Sequence, residues 1–532
     1  MDDIQFDYIV VGAGSAGCVL ANRLSANGRH TVLVLEAGGM DDWIWFHIPV
    51  GYLFAMGNPR ADWCFSTEPV PGLNGRALGY PRGKVIGGSS AINGMIYMRG
   101  QAADYDHWRQ LGNIGWAWDD VLPLFRRSEQ RLESDEFHGG EGEWRVEKMR
   151  LSWQVLDLFR DAAVERGIPA TSDFNRGDNE GVGYFEVNQQ RGQRWSAASA
   201  FLKPALKRPN LTLWTKALAR RLLLDGRRVT GIEVEHERQM KTVRAGREVI
   251  LSAGAVNSPH LLQLSGIADP ALLGQHGIPV AHALPGVGEN LQDHLQLRMI
   301  FKVSGLETLN RTANSLFGKA MMGLQYGLAR RGPMTMAPSQ MGGFTRSSAQ
   351  FDTPNLQFHV QPLSLDRFGS PLHRFDAFTA TACNLRPESR GHIRLKDADP
   401  RSAPAIQPNY LSTETDLAVA TDAIRLMRHI VLDSRAFAPH RPEEYRPGPS
   451  YRSDAELRQA AGDIGTTIFH PVGTCRMGAD EASVVTPQLK VRGLDGLRIA
   501  DASIMPTITS GNTNSPTIMI AEKAAELVLS ET

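Results

Sequence analysis

The sequence predicts an α/β fold, α+β overall, in which a domain with a parallel sheet is interleaved with a domain built on an antiparallel sheet. Three observations support this prediction. Residues 6–36 contain a strand, a glycine-rich turn, a helix and a second strand, in that order. Alternating stretches at 356–360 and 391–395 are typical of a half-exposed antiparallel sheet. The chain then returns to a strand at 497–501 and a helix at 517–529.

The glycine-rich turn follows residues 6–11, a mostly apolar run that predicts a buried parallel strand. Gly12, Gly14 and Gly17 have the spacing G-x-G-x-x-G, and residues 18–24 predict a helix. Gly12 permits a tight turn, Gly14 lets the backbone approach a pyrophosphate, and Gly17 lets the helix pack closely on the strand. The amino end of that helix offers free N–H groups to phosphates. The segment therefore predicts a Rossmann-like dinucleotide-binding unit.

The second strand, residues 31–35, ends at Glu36, which is placed to accept hydrogen bonds from ribose hydroxyls. Glycines at this spacing also serve ordinary turns, so the prediction depends on the whole order of strand, turn, helix, strand and acid. The acid disfavours a 2′-phosphate and hence NADP. It does not distinguish NAD from FAD.

Charge and cysteine content narrow the class of protein. Lys+Arg and Asp+Glu are both 57 in 532 residues, and no basic run occurs, which argues against a nucleic-acid partner. Four cysteines are scattered without a C-x-x-C pair, so we expect free thiols, no metal site and a reducing compartment. The first strand leaves no room for a signal peptide, and no apolar run reaches the ~20 residues that span a bilayer. The expected location is the cytoplasm.

The remaining elements divide the chain into two domains. A Gly- and Ser-rich stretch at 82–94 suits a loop whose backbone comes close to a ligand. Strands are expected at 211–214, 218–224, 229–236 and 248–252, and helices at 258–264 and 416–430. We infer a cofactor-binding domain formed by residues 1–157, 203–300 and 462–532, and a substrate-binding domain formed by residues 158–202 and 301–461.

Four blocks of sequence resemble signatures of the glucose–methanol–choline (GMC) flavoprotein oxidoreductases. Residues 83–106 (Gly83-Lys84-x-Ile86-Gly87-Gly88-Ser89-Ser90-x-Ile92-Asn93, then Tyr97, Gly100 and Asp106) resemble the first signature. Residues 254–267 resemble the second, although Ala268 follows where the family usually has Gly. Residues 469–478 and 501–517 resemble the C-terminal blocks. The chain is most similar to the choline dehydrogenase and bacterial alcohol dehydrogenase branch.

The resemblance implies FAD rather than NAD as the cofactor. Some family members attach the flavin through a His that precedes the Asn of the first signature, but Ile92 stands there, so non-covalent FAD is expected. The residues implied to bind FAD are Gly12, Gly14, Ser15, Ala16, Gly17, Glu36, Ala37, Trp63, Gly88, Asn93, Gly94, Met95, Ile96, Ala219, Asp501, Ala502, Asn514 and Ser515.

The resemblance also implies an enzyme, an FAD-dependent dehydrogenase or oxidase that converts a primary alcohol to an aldehyde. His470 would be the general base that takes the hydroxyl proton while flavin N5 accepts the hydride. Asn514 would donate a hydrogen bond to the alcohol oxygen as it becomes alkoxide-like. On the residues alone, His470 could be a core histidine and Asn514 a turn residue.

The substrate pocket is expected to include Phe469 and Gln340. Choline-processing relatives carry a Glu where Gln340 stands, and a carboxylate suits a trimethylammonium group. An uncharged aliphatic or aromatic alcohol is therefore the expected substrate, with choline as an alternative. An NAD-linked dehydrogenase and a non-catalytic flavin-binding protein remain as rival hypotheses. The electron acceptor, O₂ or a quinone, is left open.

Apolar residues repeat at helical spacing between residues 316 and 328. The simplest interpretation is a packed amphipathic helix. Peripheral contact with a membrane is the alternative, which would make the protein membrane-associated. The oligomeric state cannot be deduced from the sequence.

Overall fold

A computed structural model describes residues 4–367 and 369–531. Residues 1–3 and 532, at the ends of the expected cofactor-binding domain, lie outside the described residues, as does residue 368 of the expected substrate-binding domain. The helices of six or more residues are α1 (Ser15–Leu24), α2 (Ala102–Gln110), α3 (Trp118–Ser128), α4 (Gln154–Glu165), α5 (Gly254–Leu264), α6 (Pro270–Gln275), α7 (Leu309–Asn314), α8 (Leu316–Ala329), α9 (Glu414–Leu432), α10 (Asp454–Ile464) and α11 (Asn514–Ser530).

The strands of three or more residues are β1 (Ile4–Val11), β2 (Val32–Glu36), β3 (Gly181–Tyr184), β4 (Leu211–Thr215), β5 (Ala217–Asp225), β6 (Arg228–His236), β7 (Gln239–Leu251), β8 (Leu295–Lys302), β9 (Met341–Thr345), β10 (Leu356–Gln361), β11 (Ala377–Asn384), β12 (His392–Arg394), β13 (Ala405–Gln407), β14 (Glu443–Arg446), β15 (Gly465–Thr467) and β16 (Leu497–Ile499).

The first sheet has the strand order β4-β2-β1-β7-β6-β5, and β16 pairs with β7. The pairs among β4, β2, β1 and β7, and the pair of β7 with β16, are parallel, whereas β5 and β6 join in antiparallel fashion. Strand β2 and the second half of β1 are buried. The predicted α/β fold is confirmed, and the carboxyl ends of β1 and β2 open onto the glycine-rich turn.

The glycines of that turn are required by close approaches. Gly12 has φ +102°, and a Cβ there would lie 2.7 Å from the carbonyl oxygen of Ser252. A Cβ on Gly17 would lie 1.8 Å from the carbonyl oxygen of Gly12. Only glycine therefore lets α1 start this close to β1 and β7. Helix α1 also packs against α11, the last helix of the chain.

The second sheet has the order β14-β8-β11-β10-β9-β3, with β15 beside β8, and every pair in it is antiparallel. Its antiparallel character agrees with the expectation. The half-exposure expected at residues 356–360 is wrong, because β10 is buried along its whole length. Residues 391–395 lie instead in a separate antiparallel pair, β12 with β13, where Ile393 is buried and Arg394 is exposed as expected. Helices α4 and α9 pack on this sheet. Polar residues on its other side, including His359 and Gln361, line an internal cavity.

The expected division into two domains stays a prediction. At two of its boundaries, however, an element that belongs to or packs on the second sheet begins before the expected change of domain. Strand β8 begins at Leu295 and belongs to the second sheet, although the expected cofactor-binding segment extends to residue 300. Helix α4 begins at Gln154 and packs on the second sheet, although residues up to 157 were expected in the other domain. No described helix is both long enough and apolar enough to cross a membrane.

Candidate functional site

One cavity of about 620 Å³ is lined by residues of both sheets. His470 and Phe469, the expected base and a pocket residue, lie in its wall. So do most of the residues expected to bind the cofactor: Gly12, Gly14, Ser15, Ala16, Glu36, Ala37, Trp63, Gly88, Asn93, Gly94, Met95, Ile96, Ala219, Asp501, Ala502 and Asn514. Residues that are far apart in the sequence are thus brought to one site.

Three expected site residues do not line this cavity. Gly17 lies behind the turn, where it allows the packing of α1. Ser515 is buried in the first turn of α11. Gln340 directs its Nε2 to the carbonyl oxygen of Leu151, 2.9 Å away. Successive residues of an extended chain point to opposite sides, so Ser339 lines the cavity and Gln340 is buried away from it. The expected position of Gln340 is corrected accordingly.

Glu36 connects the end of β2 to the glycine-rich turn. Its Oε2 accepts a hydrogen bond from the backbone N–H of Ala13 at 2.9 Å, and its Oε1 accepts one from Gly38 at 2.8 Å. Burial raises the pKa of this carboxyl to about 7, and the two backbone donors oppose that rise. Each oxygen keeps a lone pair, so the carboxylate can still accept a bond from a hydroxyl in the cavity.

The amino ends of two helices meet at the cavity wall. Helix α1 begins at Ser15 and helix α11 at Asn514, and the Ser15 hydroxyl donates to Asn514 Oδ1 at 2.6 Å. Asn514 Nδ2 is buried and has no hydrogen-bond partner among the described residues. The amino end of a helix is the positive end of its dipole, and Asn514 Nδ2 is available as a hydrogen-bond donor. This part of the cavity therefore fits an anionic pyrophosphate.

Two glycine-rich segments, those of Gly14 and Gly88, lie close together beside these helix ends. Gly88 has φ +51°, and a Cβ on it would lie 2.7 Å from the Cα of Gly14. A side chain on Gly88 would therefore clash with the turn, so only glycine lets the two segments lie this close. The residues present therefore fit a dinucleotide cofactor.

His470 is held in the cavity wall by its own backbone. Its N–H donates to Asp293 Oδ1 at 2.7 Å, and Asp293 Oδ2 accepts the Thr467 hydroxyl at 2.6 Å. Phe469, between them, has φ +69°, an uncommon conformation for a non-glycine residue. Sequence reasoning missed Asp293, and its only local signal is an acid next to His294 in an otherwise uncharged stretch.

The imidazole of His470 has a neighbour at each nitrogen. Nε2 lies 3.1 Å from Asn512 Nδ2, and Nδ1 lies 3.1 Å from Nδ1 of His294. Burial lowers the pKa of His470 well below its ordinary value, and His294, His359 and Arg82 lower it further. The ring is therefore neutral over the physiological pH range.

The asparagine beside His470 is Asn512 rather than Asn514. Sequence reasoning chose Asn514 from a triplet with two asparagines, residues 512–514. The structure places Asn514 at the start of α11, where its side chain faces Ser15. Asn512 lies before that helix, and its Oδ1 accepts from Gln357 Nε2 at 3.2 Å, which leaves Nδ2 for His470.

Several described residues of the cavity wall near His470 are polar. His359 is buried with neither ring nitrogen bonded among the described residues, and burial lowers its pKa to about 3. Gln361 Nε2 lies 3.2 Å from the Ser339 hydroxyl. The apolar part of the lining includes Tyr52, Met56, Trp63, Phe65 and Met95. Neutral donors and acceptors, together with the basic side chains of Arg82 and Lys84, thus face an otherwise apolar space.

Comparison with known proteins agrees with this geometry. Two family models described as GMC oxidoreductase match residues 6–296 and 387–521. An alcohol dehydrogenase [acceptor] from Pseudomonas putida is 44% identical, over 99% of this chain and 96% of that protein. An oxygen-dependent choline dehydrogenase from Brucella suis biovar 1 (strain 1330) is 42% identical over the same shares. A solved Aspergillus oryzae RIB40 formate oxidase variant, titled for its FAD modification, has a TM-score of 0.91 and 27% identity, covering 100% of this chain and 99% of that one.

Affinity for FAD should fall as the pH drops through about 7. Ionised Glu36 is the stronger acceptor for a ribose hydroxyl, so binding favours the ionised form and full affinity is reached only above its pKa of about 7. Buried histidines of the cavity do not titrate there, because burial lowers the pKa of His260 to about 4 and that of His359 to about 3. Flavin-fluorescence titration of the apoprotein between about pH 6 and 8 measures the effect.

The matched control is Glu36→Gln, which keeps the shape and loses the titration. We expect this variant to bind FAD about tenfold more weakly at high pH, the low end of what a charged hydrogen bond contributes. Its affinity should not change over the same pH range. Equal pH dependence in both proteins would contradict the role given to Glu36.

Proposed function

The chain belongs to the GMC oxidoreductase family, and on that premise we propose that it oxidises an uncharged primary alcohol to an aldehyde, with His470 as the general base. Family membership makes it an FAD-dependent enzyme that acts on CH–OH donors. The single observation that carries the finer proposal is the pair of His470 Nε2 and Asn512 Nδ2 at 3.1 Å in the wall of the cavity.

The bound FAD supplies the acceptor for the hydride that leaves the alcohol carbon. His470 is neutral because burial lowers its pKa, so its Nε2 can take the hydroxyl proton of the alcohol. When the alcohol hydroxyl replaces Asn512 as the donor to Nε2, Asn512 Nδ2 can donate to the alcohol oxygen, where negative charge develops as the proton leaves. The backbone bond from His470 to Asp293 keeps the base in place without occupying its ring.

Ile92 supports non-covalent binding of the cofactor. It lines the cavity within the segment that resembles the first family signature, and its side chain has no nucleophilic atom. We therefore expect all of the FAD to be released when the protein is precipitated with acid.

The charge of the lining supports an uncharged substrate. Among the described lining residues, Glu36 and Asp501 are the acidic ones. Glu36 lies at the end of β2 in the dinucleotide part of the site. Asp501 is occupied by the N–H of Gly254 at 2.9 Å and the hydroxyl of Ser258 at 2.6 Å. A quaternary ammonium group beside His470 would thus lose water without gaining a counter-charge.

We further propose that α8 contacts a lipid surface. Its residues Leu316, Phe317 and Leu328 are 85%, 75% and 81% exposed, and Leu324 is exposed between them. They recur on one side of the helix, which is anchored to the protein by the bond from the Tyr326 hydroxyl to a backbone carbonyl. Such an apolar face in water is unfavourable and is typical of an interaction site.

The charges around this face favour anionic lipid over a second copy of the chain. No Asp or Glu occurs between residues 308 and 351, whereas Lys319, Arg330 and Arg331 are exposed there and Arg311 is paired with Asp376. Two such faces would repel each other in a symmetric dimer, while anionic headgroups complement them. This location would bring the enzyme to a lipid-soluble acceptor such as a quinone.

His470→Ala should lower the rate of flavin reduction by an alcohol about 10²–10⁴-fold, the range typical of a general base. Asn512→Ala should lower it by about 10-fold or more through loss of a donor to the oxygen. Stopped-flow measurement of flavin bleaching without oxygen separates this step from reoxidation. If an alcohol bleaches the flavin of the wild type, the hypothesis of a non-catalytic flavin-binding protein is excluded.

Asn514→Ala is the matched control for the asparagine. It lies two residues away, faces Ser15, and should reduce FAD retention with little effect on the reduction rate of the FAD-loaded fraction. If Asn514→Ala slows flavin reduction and Asn512→Ala does not, the donor to the alcohol oxygen is Asn514, as expected from the sequence.

Benzyl alcohol or hexanol should exceed choline in kcat/KM by at least about tenfold, which corresponds to roughly 1.4 kcal/mol of transition-state binding. Gln361→Glu places a carboxylate in the lining beside the Ser339 hydroxyl and should narrow the gap. Gln340→Glu adds the same charge outside the cavity and should leave the ratio unchanged. Choline used as well as benzyl alcohol by the wild type would contradict the proposal and favour a choline dehydrogenase.

The protein should float with vesicles that contain an anionic lipid and less with vesicles of neutral lipid alone. Arg330→Gln with Arg331→Gln should weaken the association about fivefold per residue, since each basic residue near such a surface contributes about 1 kcal/mol. Leu324→Gln with Leu328→Gln should weaken it on both kinds of vesicle.

Met240→Gln is the control for this experiment, because Met240 is an exposed apolar residue on a different element, β7. Its vesicle binding should equal that of the wild type. Concentration-dependent dimers that the Leu324 and Leu328 changes abolish, with no flotation, would show that a second copy covers the face instead.

A further inference from the structure

We propose that His294 selects the tautomer of His470, so that Nε2, the nitrogen facing the cavity, is the one without a proton. This inference rests on the proposed role of His470 as the base. His294 is a positioning residue in this account, because it touches His470 and does not line the cavity. Neither the family match nor the sequence analysis assigns it a role.

The argument begins at the carbonyl oxygen of Leu385, which lies 3.1 Å from Nε2 of His294. A carbonyl oxygen can only accept, so Nε2 of His294 must carry a proton. His294 is completely buried, and burial lowers its pKa to about 4. The neutral ring has one proton, so its Nδ1 is bare.

That bare nitrogen lies 3.1 Å from Nδ1 of His470. Two bare nitrogens at this distance would leave both buried and unsatisfied, so Nδ1 of His470 must donate. A neutral His470 then has no proton on Nε2. The proton position on one ring is thus transmitted to the next.

The hydrogen bonds on the Nε2 side of His470 require the same tautomer. Gln357 Nε2 donates to Asn512 Oδ1 at 3.2 Å, so the Asn512 amide presents Nδ2 to His470. An N–H donor facing Nε2 of His470 is satisfied only if that nitrogen is bare. From Gln357 through Asn512, His470 and His294 to Leu385, every donor faces an acceptor.

Charged groups near the pair do not reverse this arrangement. Asp293, which is adjacent in sequence, uses its carboxylate on the N–H of His470 and on three hydroxyls. Arg82, whose guanidinium donates to the Phe469 carbonyl oxygen at 2.6 Å, disfavours a charged His470. His359 is neutral as well, because burial lowers its pKa to about 3.

His294 cannot carry the reaction proton away. A proton passed to its Nδ1 could leave only through Nε2, and that atom faces a backbone carbonyl that cannot be protonated under these conditions. The proton taken from the alcohol therefore stays on His470 until it returns to the cavity side.

The test compares His294→Leu, which removes the acceptor, with His294→Asn, whose Oδ1 keeps an acceptor near the position of Nδ1. His294→Leu should slow anaerobic flavin reduction by about 10–100-fold, as loss of an orienting partner does elsewhere, with a much smaller change in substrate affinity. Since a tautomer ratio does not depend on pH, the loss should be the same factor across the pH–rate plateau. His294→Asn should recover most of the rate.

A second measurement does not depend on turnover. In protein labelled with ¹⁵N-histidine, the signals of His470, identified by their absence in His470→Ala, should show a protonated Nδ1 and a bare Nε2. In His294→Leu a population with the opposite tautomer should appear. A wild type with the proton on Nε2, or a His294→Leu protein with an unchanged tautomer, overturns the inference.

The two readouts also separate this inference from the proposed function. If His470→Ala reduces its flavin at the normal rate, the assignment of the base fails while the NMR result can still stand. If His470→Ala is slow but His294→Leu is as fast as the wild type, only the role of His294 fails. A rate loss in His294→Leu that high or low pH restores would indicate a charge effect and contradict tautomer selection.

Discussion

The carboxylate of Asp293 is buried and accepts hydrogen bonds from four groups that come from three separate parts of the chain: the hydroxyls of Tyr80, Tyr410 and Thr467 and the backbone N–H of His470. A buried carboxylate without such partners would be strongly unfavourable, so the four donors and the acid require one another. Because one of these bonds is to the backbone of His470, the position of the ring follows from this arrangement. The chain of bonds through His294 then determines what the ring can do.

The parts of the site that could be predicted from the sequence are those in which local order determines position. The turn at Gly12 and Gly14 and the acid at the end of β2 were predicted because a strand, a turn, a helix and a second strand bring them into contact within one continuous segment, with Ala13 and Glu36 only 23 residues apart. The α/β fold followed from the same order. In each case the contacts are short-range in sequence, so spacing alone carries the information.

The rest could not be predicted because it depends on side-chain direction or on distant segments. The choice between Asn512 and Asn514 is made by where α11 begins, which a turn-like triplet does not reveal. The direction of the Gln340 side chain depends on the register of one extended segment, because a shift of one residue would turn that side chain to the opposite face. The alternation at residues 356–360 indicated water on one face of the sheet, whereas the polar groups of Gln357 and His359 serve an interior site.

The bond between Ser15 and Asn514 joins residues separated by 499 positions. During synthesis the glycine-rich turn leaves the ribosome before β16, the partner of β7, and before α11. A nascent chain that has not yet reached α11 therefore lacks one side of the expected pyrophosphate site, and part of the edge of β7 stays uncovered. A chain that stops short of α11 would keep its glycine fingerprint, yet we expect it to be unable to retain the flavin.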